Sequence, residues 1–202
     1  MQSACDGQNP RQNPAGILPD APCPRTRLIM SSPSAVLLAI SLCGYVIGTI
    51  FALCFQRHEK LAGNSSFGSA ALASLCGGFA AVLFLAGGAG QPAPQFEVFP
   101  SSMPFIHFAV RMDSLSAFFL LLVSLLGLSI SIYSLGYARG YFGRKNVGLF
   151  GVFYNIMLLA TVLLVTAGSI WMFLIAWETM ALAAYCLVCF EHEVPETRKA
   201  GV

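Results

Sequence analysis

The sequence predicts an all-α protein, a polytopic membrane helical bundle with about five transmembrane helices. Three observations predict it. Of 202 residues, 56% are hydrophobic and only 10% charged, where an ordinary soluble domain has about 25% charged residues. Mean hydropathy is +0.73, and so little charge cannot cover a water-facing surface. The apolar residues also gather in runs near the ~20 residues that cross ~30 Å of hydrocarbon as a helix. None of these runs alternates polar and apolar positions as an outer-membrane barrel strand does.

The elements follow in order. Residues 1–33, beginning "MQSACDGQNPRQNPAGILPDAPCP", are rich in Pro, Gln, Asn and Gly and read as a disordered polar tail. They lack the order of a secretory signal, with basic residues directly before a short apolar core. The five-span membrane domain occupies 34–190. The first span, about 34–55, is "SAVLLAISLCGYVIGTIFALCF", followed by Arg57, His58 and Lys60. The second, about 67–89, is "FGSAALASLCGGFAAVLFLAGGA". An external loop at 90–114 holds four prolines and β-prone pieces such as "FIHFAV", which suit a small hairpin at the membrane surface. The third span, about 115–136, is "LSAFFLLLVSLLGLSISIYSLG". The fourth and fifth, about 147–167 and 169–190, are separated by so little that they must form a tight helical hairpin around Gly168. The tail 191–202 is expected to lead towards a sixth span that is missing.

Orientation follows from lysine and arginine. Arg57 and Lys60, then Arg139, Arg144 and Lys145, then Arg198 and Lys199 fall on one side, and Arg111 on the other. The positive-inside rule puts the first group in the cytoplasm, with the N-terminus outside and the C-terminal tail cytoplasmic. Arg11, Arg25 and Arg27 conflict with that, and a true start at Met30 would remove the conflict. The net charge of +2 is small and scattered, with no basic patch interleaved with aromatics. The partner in view is the lipid bilayer, not nucleic acid.

Few polar features remain to carry chemistry. Glu178, in "IAWETMALAAYC", lies about nine residues into a helix of about 22, close to the bilayer midplane. A charged side chain there costs about 2.5–3.5 kcal/mol or more, and intramembrane acids mark ion pathways. A group poised between charged and neutral forms is what a proton relay needs; the other reading is a protonated acid making one interhelical hydrogen bond. No lysine, arginine or histidine falls within the five spans, so a countercharge would have to come from elsewhere. Ser124, Gly127, Ser131 and Ser134 share one face of the third span, and can hold water or allow close packing. Asn155 can bond a neighbouring helix or a water. Thr179 and Ala183 offer a close-approach face beside that of Glu178. In "RMDSLS", Asp113 or Ser114 is a helix cap and Arg111 an interfacial partner for Asp113. Of the seven cysteines, Cys186 and Cys189 form a CxxC, but no second pair or suitably placed histidine completes a metal site. No metal or other cofactor is therefore expected in this chain, and no catalytic residue.

"RMDSLSAFFLLLVSLLGLSISIYSLGYARGYF", "FYNIMLLATVLLV" and "FLIAWETMALAAYCLV" together resemble the antiporter-like, proton-translocating membrane subunits of respiratory complex I and of Mrp antiporters. Within that superfamily the RMDSLSAF opening is most similar to the branch of hydrogenase-4 component B and formate hydrogenlyase subunit 3. The resemblance covers roughly 105–202; the first two spans agree only in hydropathy and placement. It implies a fold of about fourteen spans with two inverted five-helix repeats, each containing a broken helix, of which this would be the N-terminal part. Glu178 matches the family's fifth-helix glutamate, which pairs with a lysine on the seventh helix. Asp113 matches an aspartate before the third helix. The resemblance further implies a bacterial inner-membrane location and the other membrane and peripheral subunits of a respiratory or hydrogenase complex as partners. Metal and Fe–S centres are then expected in those partner subunits, with protons or other cations as the transported species. An Mrp-type cation/proton antiporter subunit is one alternative. A membrane scaffold without translocation, or a truncated gene fragment, is another.

Overall fold

Helix α1, Pro33–Cys54, begins where Ser32 takes up extended backbone and its Oγ accepts the Ala35 N–H at 3.3 Å. Pro33 occupies the first helical position, where its missing N–H leaves nothing unsatisfied. The structure, a computed structural model, describes residues 32–56, 58–87, 94–99, 108–138 and 146–189. Residues 1–31 of the polar tail, Arg57, His107, Arg139, Arg144, Lys145 and the C-terminal tail with Arg198 and Lys199 lie outside the described residues, while Ser32 and Pro33, read from the sequence as the end of that tail, start α1.

Helix α2, Glu59–Ala86, starts earlier than the apolar run near 67 suggests. The intervening "GNSS" lowers local hydropathy without breaking the helix. Ser65 donates its hydroxyl to the Leu61 carbonyl at 2.6 Å, and Ser66 is buried against the fourth helix, where it has a bonding partner. Satisfied hydroxyls are tolerated inside a membrane helix. Lys60, assigned to a loop from the sequence, therefore stands exposed in the first turn of α2. One cation thus lies within a span, at its end rather than at mid-depth.

Two short strands follow, β1 at Gln95–Phe99 and β2 at Phe108–Arg111, paired antiparallel with Gln95 opposite Arg111 and Phe96 opposite Val110. Helix α3, Ser114–Tyr137, leaves β2 almost directly. Helix α4, Val147–Val165, is capped by Asn146, whose Oδ1 accepts the Leu149 N–H at 3.1 Å. Helix α5, Ile170–Val188, is capped by Ser169, whose Oγ accepts the Met172 N–H at 3.3 Å. All five helices are long and apolar enough to cross a membrane, so the all-α bundle expected from the runs is the architecture found.

The α4–α5 turn is not free-standing. The Gly168 N–H donates to the Ala109 carbonyl at 2.7 Å, and the Arg111 N–H donates to the Thr166 carbonyl at 2.8 Å. Val110 also forms an isolated antiparallel bridge with Ala167, which ties the turn to the edge of the hairpin. A side chain at Gly168 would bring its Cβ to 3.0 Å from the Ala109 oxygen, closer than a carbon and a carbonyl normally stand. Glycine is there for close backbone approach.

Within the bundle α1 packs on α2, α2 on α3, and α4 on both α1 and α2, with a lighter contact to α3. Helix α5 packs on α4 and touches β2. Lipid removes the usual hydrophobic drive between helices, so close packing and polar bonds must hold them. Small residues make the approaches: a Cβ on Gly44 would lie 2.8 Å from Ala73 Cβ, and one on Gly151 would lie 2.5 Å from Ser66 Oγ. The Phe67 ring fills the centre, 5.8 Å from Phe150 and 5.5 Å from Tyr154 between centroids.

Candidate functional site

Glu178 is the ninth of the 19 residues of α5. At 1.5 Å per residue the helix covers about 28 Å, so this carboxylate lies near its middle. Only Met172, Ala176 and Ala183 of α5 are buried, all towards α4. Glu178 is exposed on the opposite face, in a stripe at helical spacing with Trp171, Leu174, Ile175, Leu182 and Tyr185, all likewise exposed. Among the described residues no cation pairs with it. The structure thus separates two residues that the sequence put on adjoining faces: Ala183 meets α4, while Glu178 faces away. Thr179 bonds its own helix, donating to the Ile175 carbonyl at 2.7 Å.

The other polar residues turn inward. Asn155, ninth of the 19 residues of α4, is fully buried. Its Nδ2 donates to Ser66 Oγ at 2.7 Å and to the Gly151 carbonyl at 2.9 Å, tying α4 to α2. Its Oδ1 is buried without a partner. Ser124, Gly127, Ser131 and Ser134 all face the interior of the bundle. Ser131 donates to the Gly127 carbonyl at 2.6 Å and lies 2.9 Å from the Tyr154 hydroxyl of α4.

Among the interior residues that escaped the sequence reading are Tyr45, Ser41, Ser74 and Tyr154. Ser41 donates to the Ala73 carbonyl at 2.7 Å, and the Tyr45 hydroxyl lies 2.9 Å from Ser74 Oγ. A signal for them was present. "SLCG" occurs at 41–44 and again at 74–77, and "SLLG" at 124–127. In space the serines of one helix stand over the glycines of the next. A Cβ on Gly77 would lie 2.9 Å from Ser124 Oγ and 3.0 Å from Ser41 Oγ, and one on Gly127 would lie 2.8 Å from Ser74 Oγ. The repeat is thus the packing code of α1, α2 and α3.

At the start of α3 the cap is Asp113, not Ser114: its Oδ1 accepts the Ser116 N–H at 2.7 Å. That backbone bond, aided by the nearby Arg111 guanidinium, holds the Asp113 carboxyl below the ordinary carboxylate range. Ser114 is the first helical residue and is exposed. Cys186 and Cys189 are free thiols, and among the described residues no three His, Cys, Asp or Glu converge as a metal site.

Among the described residues, five helices long and apolar enough to cross a membrane define a multi-pass helical protein, with Glu178 near the middle of its fifth helix on an outward face. Comparison with known proteins narrows the class. Residues 101–142 match the family described as NADH-ubiquinone oxidoreductase (complex I), chain 5 N-terminus. Over 96 residues the chain is 40% identical to hydrogenase-4 component B of Escherichia coli (strain K12), covering 48% of this chain and 13% of that protein. Over another 96-residue match it is 34% identical to NADH-quinone oxidoreductase subunit L of Mycobacterium tuberculosis (strain ATCC 25618 / H37Rv), covering 48% and 15%. It is 28% identical over 172 residues to NADH-quinone oxidoreductase subunit L of Escherichia coli (strain K12), covering 83% and 27%. The chain therefore spans about an eighth to a quarter of the length of these relatives. By these matches the chain is similar to the N-terminal part of antiporter-like membrane subunits.

Proposed function

We propose that the chain is the N-terminal portion of an antiporter-like, proton-translocating subunit of a membrane-bound hydrogenase or complex I-like oxidoreductase, with Glu178 in the proton path. The observation that carries the reading is the position of Glu178. It stands at the middle of a helix of membrane-spanning length, on a face that α1 to α4 leave uncovered. An acid so placed is expensive in hydrocarbon and needs a donor, a cation or water from a neighbouring element. Covering that face with a helix bearing a lysine at the same depth would make a pair whose proton affinity changes as the lysine moves, which is how charge coupling drives a relay. The named relatives are components of hydrogenase and NADH-quinone oxidoreductase complexes, which supports other membrane and peripheral subunits as partners here. The electron chemistry, with its metal and iron–sulfur centres, belongs to those partners. In this reading the chain lies in the bacterial inner membrane with its N-terminal end outside and its C-terminal tail cytoplasmic.

The test is Glu178→Gln in the assembled complex. Gln keeps the size and hydrogen bonding but cannot carry a proton charge, so proton movement per electron should fall at least about tenfold with assembly unchanged. Unchanged proton movement would make the chain a scaffold. Proton movement driven by a sodium gradient alone, with no electron donor, would instead identify the Mrp-type antiporter.

A further inference from the structure

Helices α1 to α4 have their depth in the bundle fixed by side-chain bonds between them. Ser41 of α1 donates to the Ala73 carbonyl of α2 at 2.7 Å, and Asn155 of α4 donates to Ser66 Oγ of α2 at 2.7 Å. The Tyr154 hydroxyl of α4 donates to the Gly127 carbonyl of α3 at 3.1 Å. Helix α5, which carries Glu178, is held otherwise. Among the described residues its side chains make no hydrogen bond to another helix, and Thr179 bonds only its own backbone. The residues it buries towards α4 are Met172, Ala176 and Ala183, a smooth face that packs closely at more than one depth. In lipid, close packing and polar bonds hold helices together, so this packing alone leaves the depth of α5 open. Glu178 bears on that freedom, because moving its helix towards either membrane face brings the acid nearer to water.

The polar bonds that do reach α5 sit just before its first residue. The Gly168 N–H donates to the Ala109 carbonyl at 2.7 Å and the Arg111 N–H to the Thr166 carbonyl at 2.8 Å, either side of the Val110–Ala167 bridge. Strand β2 is itself anchored: Ala109, Val110 and Met112 are buried, and the Met112 N–H donates to the Pro94 carbonyl at 3.1 Å. Two residues after Arg111, Asp113 caps α3. We propose that the hairpin of β1 and β2 sets how deep α5 sits and so positions Glu178, ten residues and about 15 Å along from Gly168. Arg111 and Gly168 are then positioning residues that act through their backbone, and neither touches the carboxyl. The consequence for proton movement rests on Glu178 being a relay acid; the fixing of depth does not.

The experiment compares Arg111→Pro with Arg111→Ala in the full chain in lipid nanodiscs. The Arg111 N–H is spent on Thr166 and not on β1, so proline there spares the hairpin ladder and breaks the tie to the turn. Val110 before it is already extended, as a residue before proline must be. Alanine removes the same side chain and keeps the N–H. In a cysteine-free background a nitroxide at Leu182→Cys, exposed one turn beyond Glu178, reports depth. Its collisions with oxygen, which gathers in hydrocarbon, are compared with those with a water-soluble nickel chelate. Arg111→Pro should shift this label by about 3 Å or more, two residues of helical rise, and Arg111→Ala should leave it in place. A label at exposed Leu126→Cys on α3 should stay at its wild-type depth throughout. Gly168→Val, which parts the turn from β2 at the other bond, should shift Leu182 as the proline does. Wild-type depth at Leu182 in both Arg111→Pro and Gly168→Val would overturn the proposal, and so would an equal shift in Arg111→Ala. In the assembled complex, proton movement per electron should fall with Arg111→Pro and not with Arg111→Ala. A depth shift with unchanged proton movement would uphold the positioning and overturn the relay reading of Glu178.

Discussion

Asp113 and Tyr154 show how single residues hold this fold in two different media. Asp113 is exposed, where its carboxylate satisfies the free N–H of Ser116 and so starts α3 at a defined residue. Asp113→Ala should destabilise the protein by about 1 kcal/mol, the usual worth of an N-cap, in a denaturation measurement at neutral pH. Because folding lowers the affinity of this carboxyl for its proton, its contribution is complete above the ordinary range near ~3.9 and lost as pH falls through the folded value. The gap between wild type and Asp113→Ala should therefore shrink only in acid. Tyr154 lies in the bundle, its hydroxyl 2.9 Å from Ser131 Oγ and donating to the Gly127 carbonyl at 3.1 Å. Tyr154→Phe should cost about 0.6–1.7 kcal/mol in steric-trap or denaturant unfolding, since the unfolded helices in lipid also find partners. The cap was legible in "RMDS" because capping is local chemistry. The Tyr154–Ser131 bond was not, because it depends on which faces of α3 and α4 meet.

At the scale of elements, α5 is held differently from the others. Its main helical neighbour is α4, and its start is fixed by the hairpin through Gly168 and Thr166. Gly168→Val would push a side chain against the Ala109 carbonyl and the Arg111 side chain, whose Cβ would stand 3.2 Å from the new Cβ. The turn must then leave β2. The expected cost is about 1–3 kcal/mol, with faster amide exchange confined to Ala109–Arg111 and the first turn of α5. Exchange unchanged at those amides would mean that the hairpin does not hold α5. The apolar runs made all five helices visible in advance, since about 20 residues without charge have few other places to go. The early start of α2 was hidden because its "GNSS" stretch reads as polar until Ser66 finds Asn155.

For the whole molecule, topology gives the sharpest test. Lys60 opens α2 and Arg111 ends the hairpin, with the whole of α2 between them, so the two must lie on opposite membrane faces. In a cysteine-free background, Lys60→Cys should react with an impermeant maleimide only from the cytoplasmic side and Arg111→Cys only from the outer side. Reaction of both from one side would break the five-span assignment. The sequence by itself determined the class and the number of crossings, because burial in lipid is a property of composition and run length. It also singled out Glu178, because an acid within a long apolar run is conspicuous whatever surrounds it. The tertiary structure alone decided where these groups face. Asn155, Ser124 and Ser131 turn into the bundle, where neighbouring backbones come close. Glu178 turns away from it, because the small and flexible residues Met172, Ala176 and Ala183 are the ones α5 presents to α4. Facing is set by which stripes can pack at short range, and that is a property of pairs of helices.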